Sequence, residues 1–127
     1  MKITTTRYGD TVIMVPAGRI DHATFEEFRM ALAPHLEHCA RGQDRVVLDF
    51  SDIEYISSVG LRVLMMASKQ VKSRQGVIAV AAMQPVVREI FEISHFNLIL
   101  ETFPNLETAL AAVSPAAADL YNAAQGG

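Results

Sequence analysis

Residues 46–63 read Val46-Val47-Leu48-Asp49-Phe50-Ser51-Asp52-Ile53-Glu54-Tyr55-Ile56-Ser57-Ser58-Val59-Gly60-Leu61-Arg62-Val63. The opening Val46 to Phe50 is a short, β-branched apolar run of the kind that forms a strand buried on both faces, as in a parallel sheet. A polar loop, Ser51 to Tyr55, follows it. From Ser58 the period changes. Gly60, Leu64, Ala67 and Val71 fall along one line at 100° per residue, flanked by Leu61, Val63 and Ser68. Arg62, Lys69, Lys72 and Ser73 fall on the opposite side, so residues 58–74 are expected to form a helix that covers a sheet. Strand, short loop and helix in that order imply a parallel crossover architecture.

The flanking sequence fits the same plan. Ile3 to Tyr8 and Thr11 to Val15 are rich in β-branched residues and are separated by Gly9-Asp10, a hairpin signal. Pro16 and Gly18 are expected to interrupt the second strand. Phe25, Phe28, Leu32, Leu36 and Cys39 recur at helical steps, which predicts a helix over 22–40 capped by Asp21, with Pro34 as a point of kinking. Gly76 closes the second helix and residues 77–82 form another buried strand. Pro85 starts a helix through Ser94, residues 98–100 form a last strand, and Pro104-Asn105 introduces a helix ending near Val113. The expectation is a single α/β domain over residues 1–113. Its sheet has four to five mostly parallel strands with an antiparallel edge strand, packed against about four helices. The Ala-rich stretch 114–127 reads as a weakly ordered tail.

Composition narrows the function classes. The chain has 127 residues, half of them hydrophobic, enough for one core without staples. Its net charge of -3 argues against broad binding to a phosphate backbone. The single cysteine, Cys39, has no intramolecular partner, which suits a reducing compartment. The N-terminus lacks the apolar core of a signal peptide, and no apolar run approaches the roughly 18–20 residues of a membrane span. The chain reads as cytoplasmic, with neither membrane nor nucleic acid as its partner.

Enzymatic motifs are sparse. Gly60 and Gly76 are isolated and no Gly-Lys-Ser/Thr follows them, so no phosphate loop is formed. Ser57-Ser58-Val59-Gly60 lacks the Gly-x-Ser-x-Gly elbow of a nucleophilic serine. Asp49 follows a strand as a receiver-domain aspartate would, yet the Lys and Thr partners at later strand ends are missing. His35, His38 and Cys39 lie within about a turn of one another, but Cys39 sits on the apolar stripe and is better explained as a small core residue.

Two segments resemble a known family. Residues 47–61 look like the signature of STAS domains, the fold of bacterial anti-sigma factor antagonists, and Gly18-Arg19-Ile20-Asp21-His22-Ala23-Thr24 is similar to that family's second landmark. The resemblance covers roughly residues 1–113. It implies a switch and not an enzyme, with no cofactor. Ser58 matches the serine that a partner kinase phosphorylates, Asp21 matches an acidic residue beside it, and Gly60-Leu61 match the end of the signature. The implied partners are an anti-sigma factor with serine-kinase activity, bound in the unphosphorylated state, and a phosphatase of the PP2C type. Ser57 departs from the pattern, since an aspartate commonly precedes the acceptor, and it stands as the alternative acceptor.

The residues support that site without the resemblance. Ser58 is expected at the N-cap of the second helix. A phosphoryl group there meets the positive end of the helix, and Arg62 lies one turn on. Asp21, Ser57, Ser58, Val59, Gly60, Arg62 and Met66 are the expected partner-binding residues, Met66 as an adaptable apolar contact at the margin of the polar strip. Two other uses of the same fold are a constitutive subunit of a transport or lipid-trafficking complex and a small-molecule or nucleotide-binding domain that uses the helix N-terminus as an anion site.

Overall fold

The computed structural model describes residues 1–126, and Gly127, the last residue of the expected tail, lies outside the described residues. The elements are β1 (Lys2–Tyr8), β2 (Thr11–Ile20), α1 (Phe25–Glu37), β3 (Arg45–Asp49), β4 (Ile53–Ile56), α2 (Ser58–Ser73), β5 (Ile78–Ala81) and α3 (Pro85–Ile93). A 3-10 turn over Phe96–Leu98 then leads to β6 (Glu101–Phe103), α4 (Leu106–Val113) and α5 (Pro115–Gly126). The strands form one mixed sheet in the order β1-β2-β3-β5-β6, with β4 added beside β2. Among the described residues only the β1–β2 pair is antiparallel.

Period-two alternation sorts the strands onto two cores. Met14, Val46, Leu48 and Val80 face α1, α2 and α3, where Phe28, Leu32, Leu64 and Phe91 complete one cluster. Ile13, Val47, Ala79 and Ala81 face the other way, against Leu110 and Val113 of α4 and Ala117 of α5. Helices on both faces explain why β3 and β5 read as unbroken apolar runs.

Several boundaries differ from the sequence reading. β2 does not stop at Pro16. It pairs with β3 through Met14 and with β4 from Gly18. Pro16 falls in the interval between those two partners, where that edge requires no ladder bond. Gly18 adopts φ +107, a conformation that side chains disfavour, at the bulge that redirects the strand toward β4. The loop expected over Ser51 to Tyr55 instead runs into β4, Ile53–Ile56, which forms by pairing in parallel with the second half of β2. The last strand lies at 101–103 instead of 98–100, since His95 at φ 58 and the 3-10 turn consume the preceding residues. Pro34 is accommodated inside α1.

The C-terminal stretch departs most. In place of a weakly ordered tail, α5 packs on the second face with Ala117 fully buried and Ala118 nearly so. Tyr121 meets Tyr8 edge to face at 5.5 Å. Ser114 accepts from the Ala117 N–H and donates to Asp10 Oδ1, so it caps α5 and ties it to the β1–β2 turn. Ala117→Asp would bury an unpaired carboxylate and should cost at least about 2 kcal/mol in urea unfolding. A frayed segment would give no change.

His35, half-buried near the end of α1, has its imidazolium disfavoured first by desolvation and then by the Arg7 guanidinium, which pulls its pKa down. The unfolded chain therefore takes up that proton first. Stability should fall as pH drops through the ordinary histidine value of about 6.5 toward the lower folded one. His35→Gln should remove this part of the pH dependence below about pH 6.5, read from urea midpoints.

Candidate functional site

At the carboxyl ends of β2 and β4 the ladder sets Arg19 beside Tyr55 and Ile20 beside Ile56. The Ser57 N–H then donates to Ile20 O at 2.8 Å, and the Ser57 carbonyl accepts the first helical bond, from the Leu61 N–H at 3.0 Å. Ser57, in extended conformation, is thus the N-cap of α2, and Ser58 is the first helical residue. This corrects the expected cap by one position. Two adjacent serines are equivalent as caps, and the tertiary bond to Ile20 decides between them.

The two hydroxyls have different surroundings. Ser58 is exposed. Ser57 Oγ is buried and without a hydrogen-bond partner among the described residues. No side chain caps the first turn of α2, which leaves its N–H groups and the positive end of the helix directed outward.

Gly60 allows α2 to begin where it does. A Cβ there would lie 2.7 Å from Ile20 Cγ2 and 2.7 Å from Ile56 Cγ1, both in fully or almost fully buried side chains. The helix start therefore rests directly on the β2–β4 ladder. The rest of α2 follows the expected face, with Val63, Leu64, Ala67, Ser68 and Val71 buried beside Gly60. Arg62 is exposed and Val59 half-buried. Met66 is 63% exposed and lines a small apolar groove of about 120 Å³ between α1 and α2, with Leu32, Leu36 and Val63 among its walls.

Asp21 does not cap α1, whose N-cap is Thr24. Its carboxylate accepts from the Ala23 N–H at 3.0 Å, its carbonyl accepts from the N–H groups of Thr24 and Phe25, and its own N–H donates to Thr24 Oγ1, whose proton goes to Arg19 O. It organises the turn that precedes the helix. That turn follows β2 as Ser57-Ser58 follow β4, so Asp21 and the serines belong to the same end of adjacent strands. Arg62 and Met66 lie farther along α2.

Residues beyond the sequence-derived set complete the site. The Arg19 guanidinium carbon lies 4.5 Å from the Tyr55 ring centroid, and Arg19 Nε lies 3.7 Å from Asp21 Oδ2. Gln84 Nε2 donates to Ser51 O at 2.9 Å, joining the start of α3 to the loop after β3. The four residues Ile53-Glu54-Tyr55-Ile56 show no period-two burial that would have marked Tyr55 as a strand residue. Gln84 stands outside every motif, and Arg19 stands within the Gly18–Thr24 landmark without a role of its own there. Cys39 is buried, its Sγ donating to Val77 O, and burial raises its thiol pKa. Among the described residues, no His, Cys, Asp and Glu side chains are grouped to hold a metal ion, and no helix is long and apolar enough to cross a membrane.

Fold and site together define a small α/β domain whose distinctive feature is an exposed helix start supported by two parallel strands. The chain belongs to the STAS domain family, whose model matches residues 2–109. BtrV of Bordetella bronchiseptica, named as an anti-sigma factor antagonist, is 36% identical over 116 residues, covering 91% of this chain and 97% of the relative. An anti-sigma factor antagonist from Mycobacterium paratuberculosis superposes with TM-score 0.78 at 22% identity, covering 88% of this chain and 92% of the other. The anti-sigma factor antagonist SpoIIAA in its unphosphorylated form gives 0.72 at 17% identity, with coverage of 90% and 97%. These two structures share the fold.

Gly60→Ala tests the support of the helix start. Alanine favours a helix interior by about 1 kcal/mol over glycine, but crowding Ile20 and Ile56 should outweigh that gain, with a net loss of about 1 kcal/mol or more. Urea unfolding should report the loss. Amide shifts at Ser57 and Ser58 should move with it.

Proposed function

We propose that this protein is a phosphorylation-switched anti-sigma factor antagonist of bacterial cytoplasm, acting by binding and not by catalysis. Unphosphorylated, it docks on an anti-sigma factor with serine-kinase activity and so frees the sigma factor. The kinase partner transfers the γ-phosphoryl group of ATP to Ser58. The Ser58 hydroxyl loses its proton, the new O–P bond forms, the bond to the leaving ADP breaks, and affinity drops. A PP2C-type phosphatase hydrolyses the phosphoserine and resets the switch. No cofactor of the chain's own is needed.

The observation that carries this reading is the contrast between the serines. Ser58 is exposed at the first position of a 16-residue helix, whereas the Ser57 hydroxyl is buried. An acceptor must enter another protein's active site, which favours Ser58 and leaves Ser57 as the residue that joins the helix to β2. The 36% identity to a protein named as an anti-sigma factor antagonist supports the partner class. SpoIIAA, which shares the fold, is itself known in a phosphorylated form.

Physical chemistry explains why such a modification would switch binding without unfolding the domain. Phosphorylation adds about 1.5 to 2 negative charges. The uncapped N-terminus of α2 favours that charge, and Arg62, four residues on, is within one turn of it. The same charge arrives at the strand end that carries Asp21. A docking surface of Asp21, Ser57, Ser58, Val59, Gly60, Arg62 and Met66 would present a different charge to its partner in the two states. A differential of about 1.4 kcal/mol already changes affinity tenfold.

Binding of the serine-kinase anti-sigma factor of the same genome, measured by calorimetry, tests the switch. Ser58→Ala should bind like the unmodified chain and resist phosphorylation, and Ser58→Asp should bind about tenfold more weakly or worse. Equal binding by both variants and the wild type would favour a constitutive subunit of a larger complex. Thermal stabilisation of the isolated chain by nucleotide would favour a ligand-binding domain.

A further inference from the structure

Arg19 stands on β2 directly opposite Tyr55 of β4. Although 56% of its side chain is exposed, two contacts hold it. The guanidinium lies over the Tyr55 ring at 4.5 Å, and Nε faces Asp21 Oδ2 at 3.7 Å. An arginine on a surface strand ordinarily samples many rotamers, so this placement restricts a side chain that would otherwise be mobile. Neither contact uses its donors. A 3.7 Å separation is an ion pair and not a hydrogen bond, and the Arg19 side chain makes no hydrogen bond among the described residues.

The ladder pairs the residue that carries this unused fork with Tyr55, two residues before the cap of α2. Arg19 pairs with Tyr55, Ile20 with Ile56, and the Ser57 N–H reaches Ile20 O. Asp21 and Ser58 are the next residues on their respective chains. The carboxylate that positions Arg19 and the exposed serine are therefore neighbours across two strand ends. Asp21 also accepts from the Ala23 N–H, so it remains hydrogen-bonded if Arg19 leaves.

We propose that Arg19 is the built-in counter-ion of phosphorylated Ser58, exchanging the Asp21 carboxylate for the phosphoryl oxygens when the group is added. The inference rests on Ser58 being the acceptor. A phosphoryl group offers a dianion with three acceptor oxygens, and a guanidinium can engage two of them at once, whereas its present contact with Asp21 is long and single. The exchange has two consequences. It partly neutralises the new charge, so the domain tolerates it. It also leaves the Asp21 carboxylate without its ion pair on the docking face, so two charges change for one modification. Arg62, exposed on α2 with no ion-pair partner among the described residues, is not held in advance in this way.

The test uses the full chain with phosphoserine installed at position 58 during synthesis, read by the phosphorus NMR shift as a function of pH. A cation near the phosphate favours its dianion and lowers the second ionisation. Arg19→Gln should raise that pKa by about half a unit or more. Arg19→Lys, which keeps the charge but loses the fork, should fall between the two. Identical titration of the wild type and Arg19→Gln would overturn the proposal, since a purely structural role for Arg19 would not move a phosphate pKa. Because no kinase is involved, the result does not depend on how the phosphate arrives. Partner binding by the same phosphorylated chain tests the switch separately. Lost binding with an unmoved titration would leave the switch standing without Arg19, and a moved titration with unaltered binding would do the reverse.

Discussion

The hydrogen bond from the Ser57 N–H to Ile20 O is the constraint on which the rest of the site depends. It extends the β2–β4 ladder by one rung into the residue that caps α2, so strand and helix meet without an intervening loop. Everything distinctive at this end of the molecule follows from that junction. The helix must start on top of Ile20 and Ile56, which leaves no room for a Cβ at position 60. The cap residue must be extended, which places its hydroxyl inside and the next residue outside. The first turn must face solvent at the carboxyl edge of the sheet, where the ends of parallel strands and the starts of helices converge.

A site built in this way is suited to carrying charge. The N–H groups of the first turn of α2 have no side-chain cap, and the Asp21 carboxylate is already committed to the turn before α1. A negative group added at Ser58 would therefore meet a favourable helix end. The modification changes what the surface shows to a partner more than it changes the fold. That separation between a stable scaffold and an altered surface is what a binding switch requires.

Much of this was legible in the sequence because both faces of the sheet are covered. Val46-Val47-Leu48 and residues 77–82 read as buried strands for the reason that helices lie on each side of them. The α2 stripe was legible because Gly60, Leu64, Ala67 and Val71 follow a strict helical period. What escaped reading depended on partners distant in sequence. Ile53-Glu54-Tyr55-Ile56 is too short and too polar to declare itself, and it becomes a strand through the second half of β2. The choice between Ser57 and Ser58 as cap lies in Ile20, nearly forty residues away. The segment after Val113 looked frayed because alanine carries little hydrophobic pattern. Yet Ser114-Pro115 is a cap followed by a first-turn proline, and small side chains let α5 lie close against the sheet. Arg19 was legible only as part of the Gly18–Thr24 landmark, and its ring and carboxylate neighbours come together in the fold.

The most direct measurement is site-resolved mass spectrometry of the wild-type chain after incubation with ATP and the serine-kinase anti-sigma factor of the same genome. The account predicts a single phosphate on Ser58, with Ser57 unmodified and no phosphate on the Ser58→Ala chain. Phosphate on Ser57, or a chain that binds this kinase yet takes up no phosphate, would contradict it.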